Sequence, residues 1–279
     1  MLCRFVWGNF TSPLNTGPMK QIVTLAFLAP FLFSCFFQDQ DKKLLPASAG
    51  WKHHATGYFS LHAQPGVRSE DSLWAIGKKI ETIQHELLAL LQEQEAQNLE
   101  VYFLKDRETL TSYTGFPAKG YTNTNKGIIY FVDKDPFHLA FRHELMHALT
   151  WRLWGPPKGY WLSEGIAVFA SRKCAGYGLH TLANAISRQN KVVAFQNLTD
   201  AFDFQSPEPS FQSASLVQYI YDNYGITALK AFWQNGLKNA ATIIGLSPSE
   251  LEKRWKEYID QEKFKADINW GVIKANGCE

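Results

Sequence analysis

The sequence predicts an α+β fold on three observations. Segments with strand character fall between Tyr58 and Val132, the part after Gly155 reads as mostly helical, and one capped helix joins the two parts while keeping one face for chemistry. Composition agrees: 46% of the 279 residues are hydrophobic and 14% aromatic, ample for a packed core and far from the composition of a disordered chain. The expected organisation is a signal segment over 1–34, a tether over 35–50 and a single domain over 51–279.

At the N-terminus, Lys20 precedes an apolar run, Ile22 to Phe33, too short to cross a bilayer as a relaxed helix. Met19-Lys20 has the form of a signal-peptide start, which is consistent with residues 1–18 being an upstream misreading of the gene. The run closes in Leu32-Phe33-Ser34-Cys35, which resembles the lipobox of bacterial lipoproteins. That resemblance implies cleavage before Cys35, acylation of that cysteine, and an exported protein held on a membrane of the bacterial cell envelope. Acyl chains contribute about 0.8 kcal/mol per buried CH₂, so a multiply acylated cysteine anchors without a transmembrane helix. An ordinary cleaved signal and an uncleaved anchor are the alternatives.

Arg4 and Lys20 are the only charged residues before Cys35, and removing them from the 28 basic residues balances the 26 acidic ones. A neutral balance argues against a nucleic-acid partner. Cys174 and Cys278 are the cysteines left in the folded part, free to pair in an oxidising compartment, although spacing alone does not decide it.

The elements follow in order. Tyr58 to His62 predicts a first strand, stopped by Pro65-Gly66. From Asp71 to Gln97, Leu73, Ile76, Ile80, Ile83, Leu87, Leu90 and Leu91 recur at helical spacing and predict a long amphipathic helix. Leu99 to Leu104 predicts a second strand, Asp106 to Tyr113 a short helix, and Gly127 to Val132 a third strand, after a Gly-, Asn- and Thr-rich stretch from Gly115 to Gly127. Asp135-Pro136 supplies an N-cap and an N1 proline for a helix that Gly155-Pro156-Pro157 stops. A second helix is expected from near Ser163 and Glu164, another over Phe211 to Tyr224 ending at Gly225, and a last one behind the capping box Ser247-Pro248-Ser249-Glu250.

The capped helix carries His143-Glu144-Leu145-Met146-His147, which sets two imidazoles one turn apart on one face, within reach of a single zinc ion. Glu144 lies about 100° round from His143, placed to take a proton from water rather than to bind metal. Phe141, Leu145, Ala148 and Leu149 form a separate apolar stripe that buries the helix. Catalytic zinc sites use three protein ligands and keep one position open. Glu164, 17 residues after His147 and expected in the first turn of its helix, is the best third ligand, giving one Zn²⁺ per chain.

His143 to Ala148 followed by Trp161-Leu162-Ser163-Glu164-Gly165-Ile166-Ala167 resembles the gluzincin metallopeptidases, in particular the compact peptidase MA-like group. The resemblance implies a thermolysin-like zincin domain with a small N-terminal sheet, His143, His147 and Glu164 as ligands, Glu144 as general base, and a peptide or protein substrate. It also implies that a sheet edge above the metal helix pairs with the substrate backbone, and Gly127 to Val132 is the expected edge.

Two positions depart from the family. Phe211 stands where the group often carries a tyrosine, leaving Tyr219, Tyr221 or Tyr224 to assist the oxyanion. Val168 stands where thermolysin-like enzymes carry an aspartate that orients a histidine ligand, so the partner for that histidine is unidentified. These departures keep open a second reading, a zinc-binding lipoprotein that serves as a binding or assembly module without turnover. A helical domain with no metal is the third. His53, His54, His62, His85 and His138 have no partner at ligand spacing and read as surface or packing residues, while His180 could line the cleft. Trp151, Trp154 and Trp161 read as packing between the two metal helices, with the floor of a substrate pocket as the alternative.

Overall fold

The computed structural model describes residues 50–133, 137–200, 202–203, 206–276 and 278. The signal segment 1–34, Cys35, the tether as far as residue 49 and the Asp135-Pro136 cap lie outside the described residues. No helix among the described residues is long and apolar enough to cross a membrane.

Strands β1 (Lys52–Ala55) and β2 (Phe59–Ala63) form an antiparallel hairpin. Its turn is held by Thr56, whose Oγ1 accepts from the N–H groups of Tyr58 and Phe59 at 3.2 and 3.0 Å. β1 has no counterpart in the sequence reading, because Lys-His-His-Ala offers no apolar alternation and pairing alone makes it a strand.

Helix α1 (Glu70–Leu91) starts at an N-cap, Ser69, whose side chain accepts from the Ser72 N–H, with Glu70 and Asp71 in its first turn. It buries Leu73, Ile76, Ile80, Ile83, Leu87 and Leu91, as the spacing predicts. It ends short of the expected Gln97 because Gln92 turns left-handed at φ 54°. Gln84 then folds the chain back: its amide donates to the Gln97 carbonyl at 3.2 Å and accepts from the Gln97 N–H at 3.1 Å.

Then follow β3 (Leu99–Leu104), α2 (Arg107–Thr114), β4 (Gly120–Asn123) and β5 (Ile128–Val132). The sheet order is β1-β2-β3-β5-β4. β2, β3 and β5 run parallel, with α1 crossing between β2 and β3, and β4 returns antiparallel along β5. The expected edge is therefore corrected: Ile128–Val132 is an inner strand, and Gly120–Asn123 is the edge. Four half-buried residues reading Gly-Tyr-Thr-Asn carry no strand signal of their own, so the sequence left the stretch unassigned.

The inner face of the sheet, including Leu61, Val101, Phe103, Ile129 and Phe131, packs on the helical half. That half comprises α3 (Phe137–Trp154), α4 (Tyr160–Phe169), a two-stranded ribbon of β6 (Lys173–Cys174) and β7 (Tyr177–Gly178), α5 (Leu179–Arg188), α6 (Phe195–Asp200), α7 (Pro207–Asn235), α8 (Ala240–Ile244), α9 (Pro248–Ile259) and α10 (Trp270–Asn276). α7 begins ahead of the expected Phe211 and breaks at Gly225 (φ 78°, ψ 177°), beyond which helix resumes. The capping box at Ser247 and Glu250 opens α9 as expected. Cys174 and Cys278 form a disulfide that ties the C-terminal end to the ribbon.

Candidate metal centre

Phe141, Leu145, Ala148 and Leu149 of α3 are fully buried, so the stripe predicted to anchor this helix does so. The helix ends where Gly155 takes φ +78° and its N–H closes on the Trp151 carbonyl at 2.9 Å, a left-handed stop suited to glycine. The turn is fastened to α7 in two places: Trp233 Nε1 donates to the Gly155 carbonyl at 2.8 Å, and the Lys158 N–H donates to the Trp233 carbonyl at 2.9 Å. This brings α4 back beside α3. α4 is held from its far side by α7, since Gly165 lies so close to Ser213 that a Cβ would come within 2.9 Å of the Ser213 backbone. Arg142 of α3 pairs with Glu86 of α1 and donates from Nε to the Ala170 carbonyl at the end of α4, at 3.3 Å.

α4 starts at Tyr160, three residues before the expected start, with Gly159 as N-cap. Glu164 therefore sits in the second turn rather than the first. Burial raises its carboxyl above the usual range, with His143 pulling the other way.

The three predicted ligands meet. His143 Nε2 lies 3.1 Å from His147 Nε2, Glu164 Oε2 is 3.7 Å from His143 Nε2, and Glu164 Oε1 is 3.6 Å from His147 Nε2. One ligand atom from each falls within 4.8 Å of the others, a group that could hold a metal ion. Two nitrogens bound to zinc at the usual bond length and a tetrahedral angle are about 3.3 Å apart, so the spacing fits. Facing imidazole nitrogens this close require a proton or a cation between them, which also suits the donor set. Burial holds both imidazoles neutral down to about 4, the form that binds metal; for His143 the neighbouring His147 acts in the same direction and Glu164 against it. The His143 and Glu164 side chains keep 27% and 23% of their surface exposed, which leaves the group open to solvent on one side.

Ser163 supplies what Val168 does not. Its Oγ lies 3.0 Å from His147 Nδ1, fixing the ring so that Nε2 faces His143 and Glu164. The only sequence signal was its place one residue before Glu164. Val168 itself is apolar core.

Glu144 is 9% exposed and lies under the edge strand. Thr122 Oγ1 is 2.7 Å from Glu144 Oε2 and 2.9 Å from the Glu144 carbonyl oxygen. Burial pushes the Glu144 carboxyl up to about 8; the Thr122 hydrogen bond opposes this and the Glu164 charge adds to it. Thr122 was not singled out by the sequence, since a threonine in an unassigned stretch carries no pointer to a helix 22 residues away.

The remaining candidates have their own partners. His180 is buried, with Nδ1 2.9 Å from Ser215 Oγ and its ring among Tyr258 and Phe264, and it is not part of the His143, His147 and Glu164 group. Phe211 is 4% exposed and packs on Trp270, so this position belongs to the core. Tyr219 packs against Tyr224 and Tyr258, and Tyr221 against Phe169. Trp154 and Trp161 are buried as expected; Trp154 reaches α7 through Trp233 and the end of α1 through Glu93. His53 and His62, which lack a sequence spacing partner, meet across β1 and β2 with Nδ1 atoms 2.8 Å apart. His138 carries a side chain outside the described ones.

No family model matches the chain, and no curated protein matches it by sequence. Among solved structures, two of leukotriene A4 hydrolase from the yeast Saccharomyces cerevisiae resemble it, at 15% and 13% identity and TM-scores of 0.45 and 0.41. Each alignment covers 80% of this chain and 38% of the hydrolase, so the chain spans less than two-fifths of the length of those proteins.

Proposed function

We propose that this chain is a zinc-dependent peptidase of the gluzincin type, with His143, His147 and Glu164 as metal ligands and Glu144 as general base. The observation that carries the reading is the convergence of those three side chains into a group that could hold a metal ion, next in sequence to a buried carboxylate. A zinc ion bound there would bring the pKa of a water toward neutrality and polarise the scissile carbonyl. Glu144 is the residue that would accept a proton from such a water and pass it to the leaving amine.

The substrate backbone pairs with the outer edge of β4, which is the last strand in the sheet order and lies against the metal helix. The domain acts outside the cytosol, attached to a membrane of the bacterial cell envelope through acylated Cys35. The Cys174–Cys278 disulfide supports export, because disulfides persist in oxidising compartments.

The test is metal content and peptide cleavage measured together on the unmodified protein, His147→Ala and Glu144→Gln. About one zinc per chain, lost in His147→Ala and kept in Glu144→Gln, with hydrolysis absent from both variants, is the expected pattern. Cleavage by Glu144→Gln at the full rate would sink the mechanism. A second reading, a zinc-binding module without turnover, draws on the burial of Phe211 and the covered Glu144; bound zinc with no cleavage across a broad peptide library would favour it.

A further inference from the structure

We propose that Thr122 is the positioning residue for Glu144, so that the strand which receives the substrate also holds the base; this inference rests on the peptidase reading above. Two alternate residues of β4 face the metal helix. Gly120 stands opposite Phe131 and Thr122 opposite Ile129, and both partners are buried on the inner face of the sheet, so the register turns Gly120 and Thr122 toward α3. At Gly120 the strand leaves space: a Cβ there would come within 2.7 Å of Glu144 Cγ and 2.8 Å of Oε1. At Thr122 it offers a hydroxyl, 2.7 Å from Oε2 and 2.9 Å from the backbone carbonyl oxygen of the same glutamate.

A hydroxyl has one proton to donate, and a carboxylate is the stronger acceptor of the two. Donation to Oε2 restrains rotation of the carboxylate and leaves Oε1 to exchange the proton. A general base acts only within hydrogen-bond reach of the proton it takes, so the orientation of this side chain bears directly on the rate. Glu144 sits on a helix whose own packing face points elsewhere, and β4 is the element that supplies its contacts from above. The structural alternative is that Thr122 only ties β4 to α3. A tie and a positioning contact differ in what they change: a tie shifts stability and substrate affinity, whereas positioning shifts turnover.

The experiment uses the full zinc-loaded chain, Thr122→Val, which keeps the branched shape and loses the hydroxyl, and Thr122→Ser, which keeps the hydroxyl. It reads kcat and KM on a peptide that the unmodified protein cleaves, together with zinc per chain and the melting temperature. The expected result for Thr122→Val is a kcat lower by about 10- to 100-fold, with KM within about twofold, full zinc and an unchanged melting temperature, and Thr122→Ser should recover kcat to within about threefold. A Thr122→Val enzyme with unchanged kcat, or one whose kcat loss comes with a raised KM or lowered melting temperature and no rescue by serine, would overturn the proposal. Gly120→Ala is an independent check: its methyl group displaces Glu144 without removing the hydroxyl, and it should lower kcat while zinc stays bound, whereas full turnover would count against β4 as the support of the base. Unmodified protein that binds zinc and cleaves nothing would overturn the peptidase reading and this inference together, while cleavage unaffected in Thr122→Val would remove only this one.

Discussion

Single side chains in the centre are shaped by opposing demands. His147 has to be neutral, correctly turned and partly open to solvent at once, and it meets these through burial that lowers its pKa to about 4 and through Ser163 on Nδ1. Ser163→Ala removes that orienting contact without touching a ligand. The expected outcome is metal affinity weakened about 10- to 100-fold, read by competition with a chromogenic chelator, and equal affinity would mean that helix packing alone turns the ring. The motif was legible from residue types and spacing taken together with the apolar stripe beside it and Glu164 downstream. The serine was not, because a hydroxyl acquires this role only when a second helix brings it to the ring.

Elements decide which of those side chains meet. α4 reaches α3 because the chain reverses at Gly155 and because Gly165 lets α7 press against its other side. Gly165→Ala places a methyl group 2.9 Å from the backbone of Ser213 and should destabilise the protein by about 1–3 kcal/mol, measured as a lower urea midpoint. A midpoint equal to that of the unmodified protein would show that α7 yields at that point. Sequence placed the start of α4 three residues late, since Gly159 offers no capping side chain and the Ser163 and Glu164 pair imitates a helix start. The same limit applies more strongly to β4: its four residues become a strand only by pairing with β5, so the strand that covers Glu144 had no local signature.

At the scale of the whole molecule, two features join distant parts of the helical half. The Cys174–Cys278 disulfide closes a loop of sequence separation 104. Reduction, or Cys174→Ser, should cost about 2–4 kcal/mol, seen as a lower melting temperature in the presence of a thiol reductant, and no change on reduction would show that α10 is held by packing alone. His180 joins α5 to Ser215 of α7 and to the rings of Tyr258 and Phe264. Burial lowers its pKa to about 4, with Asp222 opposing and Lys263 adding. Because the folded value lies below the unfolded value of 6.5, the unfolded chain takes up a proton first as the pH drops. Stability contributed by neutral His180 is present above pH 6.5 and is lost between 6.5 and about 4, by up to about 3 kcal/mol. Urea unfolding across that range should show the loss in the unmodified protein and a smaller one in His180→Gln.

The sequence by itself determined the residue types of the candidate centre and most of its scaffold. His143, His147 and Glu164 were singled out by type and spacing and come together in the structure, and the apolar periods of α1 and α3 and the capping box of α9 are properties of consecutive residues. Tertiary structure decided what depends on residues far apart in the chain: which strand lies over Glu144, that the hydroxyls of Thr122 and Ser163 contact Glu144 and His147, and that Cys174 meets Cys278. The physical reason is the range of the interactions. Helical periodicity and capping act over a few residues and leave a local pattern, whereas strand pairing, a hydroxyl on a distant carboxylate and a closing disulfide depend on how the whole chain packs.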